Sequence, residues 1–187
     1  MQLYPIYQPQ SPSMVQQFLR QRPYCLLITS EHTGPPETGF FNPLVEDQNI
    51  YLHLHRQDPQ LKQLQQNPQA TLVFTDFHGY VPSYAKHPED ASFATMFYRF
   101  VQIRASARVI EAEHEAAAIL DSMMKRYQPE GGYLPIQANL DFYGPSLKMI
   151  TVLHFTIESL TSKWKLGQNR NPQEQLHAHS FMNTMHV

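Results

Sequence analysis

Alternating apolar and polar positions dominate the second half of the chain. Between residues 149 and 160, Leu153, Phe155 and Ile157 alternate with polar side chains, and residues 97–110 carry a longer version of the same pattern. A period of two predicts strands with one buried face, because successive strand side chains point to opposite sides. Shorter apolar segments predict further strands at residues 24–30, 38–45, 50–55 and 70–75.

Helix signals lie between and around these strands. Three of them combine a capping side chain with proline at the first helical position, and Glu174 adds the pattern of a capping box to the last one. The predicted helices begin at Ser11-Pro12, Asp58-Pro59, residue 112 and Asn171-Pro172. Loops are predicted at His32–Pro36, at 77–92 and at 128–135, whereas residues 136–145 are ambiguous. Five or six strands joined mostly by short turns, with a long helix before the last strand, favour a small antiparallel barrel.

The composition narrows the class of protein. The 187 residues are 42% hydrophobic, which is enough for one domain with a real core. The net charge of -2 and the lack of a basic recognition helix make direct nucleic-acid binding unexpected. The one cysteine, Cys25, excludes an internal disulfide, and the absence of a basic-then-apolar leader indicates a cytoplasmic protein. No apolar stretch approaches the roughly 18 residues that a membrane span needs.

A basic segment follows the last predicted strand. From Ser162 to Arg170 it reads SKWKLGQNR, with three cations, two amides, one tryptophan and a glycine hinge. Cations and planar donors in so short a segment suit an anionic ligand. A polar loop that only closes the strand is the alternative, and the pattern by itself leaves both open.

This segment resembles a known signature. Residues 163–170, KWKLGQNR, are similar to the K-[FW]-K-L-S-Q-N-R motif of PaiB-type proteins, a branch of the FMN-binding split-barrel families. Residues 67–74 and 98–111 resemble two strands common to those families, and residues 53–60 and 78–84 resemble further segments of the PaiB-type branch. The resemblance therefore covers most of the chain.

The chain departs from that pattern at several positions. Gly167 replaces the serine of the motif, and Met96 and Phe97 stand where the branch has tryptophan and asparagine. Phe41 occupies the place of a histidine, and Gln60 that of the phosphate-binding lysine of the oxidase-type branches. These changes affect positions expected to face the flavin.

The resemblance implies a mainly β structure of the α+β class, a six-stranded antiparallel split β-barrel with peripheral helices. Residues 1–187 would form a single FMN-binding domain, with 171–187 as a C-terminal helical extension. It also implies FMN as the cofactor, bound at the interface of a homodimer. Any activity would oxidise or reduce a small molecule at the flavin, with NAD(P)H as the electron donor.

FMN requires cations and amides for its phosphate, a flat apolar bed for its ring, and polar donors for its carbonyl edge and ribityl chain. The candidates for the phosphate are Arg56, Lys62, Lys165 and Arg170, with Gln60 at the position of the missing lysine and the helix start at Asp58 adding backbone amides. Phe40 and Phe41 are candidates for the bed, although neighbouring strand residues point to opposite sides. The remaining candidate contacts are Asn42, His53, His55, Ser83, Tyr84, Gln168 and Asn169. Ordinary surface charge and core packing are the alternative roles for these residues.

Other functions remain open on the sequence. Two His-x-His pairs, His53/His55 and His177/His179, are compatible with a haem-binding split barrel. A zinc site is not expected, because zinc takes three or four ligands and no suitable Cys, Asp or Glu accompanies either pair. A transcriptional or redox regulator without turnover is the third alternative. No catalytic acid or base is evident.

A dimer is expected on general grounds as well. Small barrels bury limited surface alone, and Phe40, Phe41, Phe97 and Trp164 are predicted to be exposed aromatics that a two-fold interface would cover.

Overall fold

The computed structural model describes residues 4–30 and 34–182. Part of the turn predicted at His32–Pro36 therefore lies outside the described residues. Within them the chain forms seven strands and five α-helices. The strands are β1 Cys25–Thr29, β2 Glu37–Phe41, β3 Leu44–Glu46, β4 Asn49–His55, β5 Gln69–Val81, β6 Thr95–Val109 and β7 Ile150–Lys165. The helices are α1 Pro12–Gln21, α2 Pro59–Gln66, α3 Glu113–Tyr127, α4 Gly144–Met149 and α5 Pro172–Met182.

The contacts divide the chain into two compact units. The first contains the described parts of Met1–Val15, Thr75–Val101 and Thr161–Val187. The second contains those of Gln16–Phe74 and Gln102–Leu160.

All seven strands contribute to one sheet in the second unit. Its order is β2-β1-β5-β6-β7-β4-β3, so that β2 and β3 are the edges. The pairs β1–β2, β1–β5, β3–β4 and β4–β7 are antiparallel. The register places Leu52 opposite Leu153 and Tyr51 opposite His154, which fixes the faces of β4 and β7.

The sheet has seven strands where the sequence predicted six. The strand predicted at 38–45 is interrupted at Asn42-Pro43, giving β2 and β3. Pro43 has no N–H to donate to a ladder and a fixed φ, which favours a break in the strand at this position.

Two strands are longer than their patterns indicated. β5 continues to Val81 through part of the predicted loop at 77–92, and β7 continues to Lys165 through half of the basic segment. Strand length depends on partners that are remote in sequence, whereas the alternating pattern covers only the residues of a strand that has one buried face.

Each unit buries its own apolar side chains. In the second unit Leu27, Leu72, Phe74 and Ile103 have no exposed surface, and Cys25 is equally buried. Burial raises the pKa of the Cys25 thiol to about 12, so Cys25 is an inert core residue. A second layer in this unit packs α3 against the sheet, through Leu44, Ile110, Leu120, Met123 and Val152.

The core of the first unit is smaller. It consists of Val81, Ala85, Phe97 and Ala178, with Phe181 and Met182 of α5 packed against them. Helix α5 begins with the predicted capping box: Glu174 N donates to Asn171 Oδ1 at 2.9 Å, and Asn171 N donates to Glu174 Oε2 at 3.2 Å. This cap fixes where the chain turns after β7.

Candidate functional site

Three cations gather at the end of β7 in the first unit. Lys163 and Lys165 are two residues apart on the strand and therefore share a side. Gly167, with φ of +84°, turns the chain, and Arg170 N donates to Gly167 O at 2.8 Å. Burial, together with the positive charges of Lys163 and Arg170, lowers the pKa of Lys165 below its ordinary value. The turn therefore concentrates positive charge.

No carboxylate among the described residues forms an ion pair with these three cations. Glu174 is within electrostatic reach of Arg170, but its carboxylate contacts Lys86 Nζ at 3.5 Å and accepts from Asn171 N. A group of like charges without an ion-pair partner favours an external anion. We call Lys163, Lys165 and Arg170 the cation cluster.

Gln168 holds the turn in place. Its Oε1 accepts from Leu166 N at 2.7 Å, and its Nε2 donates to Trp164 O. The side chain predicted to contact a ligand is thus engaged with its own turn. Asn169, in contrast, is exposed.

The Phe97 ring packs against this turn. The guanidinium of Arg170 lies 5.9 Å from the ring centroid, and the His179 ring meets Phe97 edge-on at 5.5 Å. A Cβ on Gly167 would be 2.7 Å from Phe97 Cζ. Phe97 and Trp164 are 1% and 6% exposed, so the prediction that they lie on the surface was wrong. The Phe97 ring packs in the interior of the first unit with Ala178 of α5.

Ser83 and Tyr84 also belong to the first unit. Both lie in a 3₁₀ turn, Ser83–Ala85, where Ser83 is half-buried. Tyr84 is 64% exposed, and its ring meets Phe181 edge-on at 5.6 Å. The first unit therefore holds six of the predicted site residues, namely Ser83, Tyr84, Lys165, Gln168, Asn169 and Arg170.

An aromatic cleft lies at the end of β2 in the second unit. Tyr24, Phe40, Phe41 and Asn42 line a cavity of 360 Å³. Tyr24 and Phe40 meet edge-on at 5.5 Å, and Phe40 is 71% exposed. Asn42 Nδ2 donates to Pro23 O at 2.9 Å, which joins the end of the strand to the preceding loop. These residues offer a wide apolar surface.

Arg56 directly follows β4 and lines a cavity that is different from the aromatic cleft. Its backbone N donates to Met149 O at 2.9 Å, and its Nε donates to Ile150 O at 3.2 Å. His55 Nδ1 accepts from Gln57 N at 3.1 Å, which stabilises the turn into α2. His53 and Lys62 are exposed.

The start of α2 offers less to an anion than the sequence indicated. Asp58 caps the helix by accepting from Gln60 N at 2.9 Å, so a carboxylate already occupies this end. Gln60 is 4% exposed, and its Nε2 donates to Leu27 O, Thr29 Oγ1 and Glu37 O. Gln60, at the position where the oxidase-type branches have lysine, is thus buried and joins α2 to β1 and β2.

The histidine pairs form no metal site in the part of the chain that is described. No group of three or more His, Cys, Asp or Glu side chains there is arranged to hold a metal ion. His177 contacts Phe181 and His179 contacts Phe97, so the second pair diverges on α5. Among the described helices, none has the length and apolar character to cross a membrane.

Sequence reasoning missed three features of these sites. Lys163 was left out, although its spacing of two from Lys165 on a strand would have placed it on the same side. Tyr24 and Lys148, which line the cavities beside Phe40 and Arg56, carry no local signal. Only the fold brings them to their neighbours.

Solved structures share this fold. The FAD and haem binding protein from Mycobacterium smegmatis has a TM-score of 0.69 at 19% identity, covering 91% of this chain and 78% of that one. The flavocytochrome Anf3 from Azotobacter vinelandii has a TM-score of 0.69 at 16% identity, covering 88% and 75%. HutZ, the haem storage protein from Vibrio cholerae, has a TM-score of 0.55 at 13% identity, covering 81% and 94%. These likenesses show the fold, a mixed α+β split barrel.

A family model identifies the chain more directly. Among curated proteins none matches the sequence significantly. The model described as "Putative FMN-binding domain" matches residues 1–159, which is most of the chain and ends before the cation cluster and α5. The match confirms FMN as the cofactor predicted from the sequence. The protein therefore belongs to this family of FMN-binding domains.

Proposed function

We propose that this protein is a cytoplasmic, homodimeric flavoprotein that uses FMN to oxidise or reduce a small molecule, with NAD(P)H as the electron donor. The family match over residues 1–159 is the observation that carries the proposal. Bound FMN can take a hydride from a donor and pass electrons to an acceptor, so the protein has only to bind and orient both. The PaiB-type branch is part of the proposal and is supported by the KWKLGQNR segment.

The cation cluster fits the phosphate best. A phosphate dianion gains most from several cations and loses most from nearby carboxylates. Lys165 and Arg170 lie beside Lys163 without an ion-pair partner among the described residues, whereas the cavity of Arg56 is also lined by Glu111 and Glu113. We therefore assign the phosphate to Lys165 and Arg170 rather than to Arg56.

The aromatic cleft is a separate candidate surface, within the second unit, for a planar ligand ring. Tyr24, Phe40 and Phe41 supply apolar surface, and Asn42 supplies a polar group at its edge. Aromatic side chains stack favourably on extended planar ligands. Phe40 and Phe41 alternate on β2, so one of them is expected to contact the ring and the other to support it.

Comparing FMN with riboflavin tests the phosphate assignment. Each charged hydrogen bond contributes roughly 1.5–3 kcal/mol, so we expect Arg170→Ala and Lys165→Ala to weaken FMN about ten- to a hundredfold. Riboflavin lacks the phosphate, and its affinity should hardly change. Titrations that follow quenching of flavin fluorescence give both constants, and Arg56→Ala is the matched comparison.

Two results would decide against this assignment. If Arg56→Ala alone weakens FMN selectively, the phosphate lies in the second unit, at one of the other candidates named from the sequence. If all three variants weaken FMN and riboflavin equally, the cations support the fold rather than the cofactor.

Turnover needs its own measurement. The FMN-loaded protein should lose its oxidised flavin absorbance when NADH or NADPH is added without oxygen, and regain it when an acceptor is supplied. A flavin that neither donor reduces would contradict the proposed activity. In that case a regulator without turnover, as PaiB-type proteins are labelled, becomes the better proposal.

Haem binding is the second candidate function. The structural neighbours described as haem proteins and the histidines of α5 and β4 favour it. His177 and His179 are each held against a phenylalanine, and His53 is exposed. A Soret band after addition of haem, lost in His→Ala variants, would support this function, and flavin bands alone would exclude it.

A further inference from the structure

A second cavity, of 280 Å³, lies in the second unit and is distinct from the aromatic cleft. Its volume is just below the range of about 300–1,000 Å³ typical of small-molecule pockets, so it suits a compact ligand. Its apolar lining is entirely aliphatic and comes from the ends of β6 and β7, from α3 and α4, and from Ile110 and Ala138 in the connecting loops. The residues of the strands and helices in this lining are Val109, Ala116, Leu120, Leu147, Ile150 and Val152.

The same cavity is lined by charged side chains of both signs. Arg56 and Lys148 are the cations, and Glu111 and Glu113 are the carboxylates. All four are exposed, and none takes part in an ion pair with a described residue. Opposite charges that line one cavity without pairing leave both signs available to a ligand.

A hydrogen bond holds Arg56, and the four charged residues come from several elements. The bond from Arg56 Nε to Ile150 O fixes the guanidinium at the end of β4 and leaves its two terminal nitrogens without a hydrogen-bond partner among the described residues. Lys148 lies in the last turn of α4, whereas Glu113 is in the first turn of α3 and Glu111 follows β6. The cations and the carboxylates thus come from different elements.

We propose that this cavity binds a small zwitterion with an aliphatic body, of the kind represented by an aliphatic α-amino acid. The ligand carboxylate is held by Arg56 and Lys148, since a guanidinium binds a carboxylate through two parallel hydrogen bonds. The ligand ammonium is held by Glu111 and Glu113, and the aliphatic body occupies the lining formed by residues such as Leu147 and Val152.

A phosphate is the competing occupant, because Arg56 and Lys148 could also hold a dianion. Glu111 and Glu113 line the same cavity, and each would repel a doubly charged anion. A zwitterion carries one charge of each sign and can therefore pair with the cations and with the carboxylates of the cavity. The zwitterion site is therefore independent of the cation cluster assigned to FMN.

Isothermal titration of the full chain, with and without saturating FMN, provides the test. The probes are L-leucine, 4-methylpentanoate, which lacks the ammonium, and 3-methylbutylamine, which lacks the carboxylate. We expect L-leucine to bind at least about tenfold more tightly than either analogue, because each analogue leaves one pair of charges unmatched. Equal binding of all three, or no binding of L-leucine, would overturn the proposal.

Variants of the cavity residues test whether L-leucine binds in this cavity. Arg56→Gln and Glu113→Gln should each weaken L-leucine about tenfold or more, and all these side chains are exposed, so the fold should be retained. Two matched controls should leave binding unchanged: Glu115→Gln, in the same first turn but 4.0 Å from Arg108, and Lys62→Gln, which is exposed outside the cavity. If the controls weaken binding as much as the cavity variants, the zwitterion binds elsewhere.

Competition separates this proposal from the flavin assignment. L-leucine that is displaced by FMN or by inorganic phosphate would show that the cavity takes phosphate, and would overturn the zwitterion site. Binding of L-leucine that FMN and inorganic phosphate leave unchanged would support the zwitterion site. Loss of FMN binding in the cation-cluster variants, with L-leucine unaffected, would show that the two sites are separate.

Discussion

At the scale of single residues, the buried imidazole of His154 is the clearest source of a pH dependence. Its Nε2 lies 2.7 Å from Asn49 Oδ1, which can only accept, so Nε2 carries the proton. Its buried Nδ1 has no hydrogen-bond partner among the described residues, and the ring stacks on Tyr51 at 5.0 Å. Burial, reinforced by the positive charge of Arg108 and opposed by Glu115, lowers the pKa of His154. The folded chain therefore favours the neutral ring.

The lowered pKa of His154 makes the free energy of unfolding depend on pH. The unfolded chain binds a proton at His154 near the ordinary pKa of about 6.5, whereas the folded chain resists it. The contribution of His154 to stability is complete above that value and is lost as the pH falls through the lower, folded pKa. We expect urea midpoints measured between about pH 5 and 8 to fall on the acid side. His154→Gln should flatten that fall, and His114→Gln, an exposed control, should not; equal slopes in all three proteins would contradict it.

At the scale of elements, the turn from β7 to α5 is fixed by the pairing of a glycine with a phenylalanine. Gly167 has a left-handed φ of +84°, and an added Cβ would meet the Phe97 ring at 2.7 Å. The PaiB-type motifs have serine and asparagine at these two positions, so the chain differs from them at both partners of one contact. A side chain at position 167 would need the space that the Phe97 ring occupies in this protein.

A double-mutant cycle measures that contact. Gly167→Ala should destabilise the protein by the cost of a left-handed backbone, about 1–2 kcal/mol, and by an additional steric cost against Phe97. Phe97→Leu should relieve only the steric part, giving a coupling of roughly 0.5–3 kcal/mol in urea unfolding. Gly131→Ala is the control, since Gly131 has φ of +74° with nothing within 4 Å of an added Cβ. Additive effects of Gly167→Ala and Phe97→Leu would show that the ring moves aside without cost.

Elements with local signals were predictable from the sequence, and elements that depend on remote partners were not. The caps at Asp58 and Asn171 place the starts of α2 and α5 correctly, because a cap is formed within a few residues. The extension of β7 through Lys165 depends on strand pairing and was missed. Gln60 illustrates the same limit at the candidate site: its motif position indicated a ligand contact, whereas its three acceptors lie on β1 and β2. The cation cluster was partly predictable, because Lys165 and Arg170 share one short segment.

At the scale of the whole molecule, the exposed apolar surface of the second unit supports the proposed homodimer. Phe40 is 71% exposed and Tyr24 is 44% exposed, and both lie beside the unpaired edge of β2. An edge strand with exposed aromatic side chains is a surface that proteins commonly cover with another chain. A two-fold interface would place the same patch on both partners and form two equivalent sites.

We therefore expect the protein to be a dimer in solution and Phe40 to lie in its interface. Light scattering coupled to gel filtration, at tens of micromolar and with FMN bound, should give twice the chain mass of 21.7 kDa. Phe40→Asp should weaken the dimer at least about tenfold, because aromatic residues at the centre of an interface contribute most to binding. Leu176→Asp is the matched control: Leu176 is 74% exposed on α5 in the first unit, and its substitution should leave the mass unchanged. A monomeric wild-type protein would contradict the dimer, whereas a dimer that persists in Phe40→Asp and dissociates in Leu176→Asp would move the interface to α5.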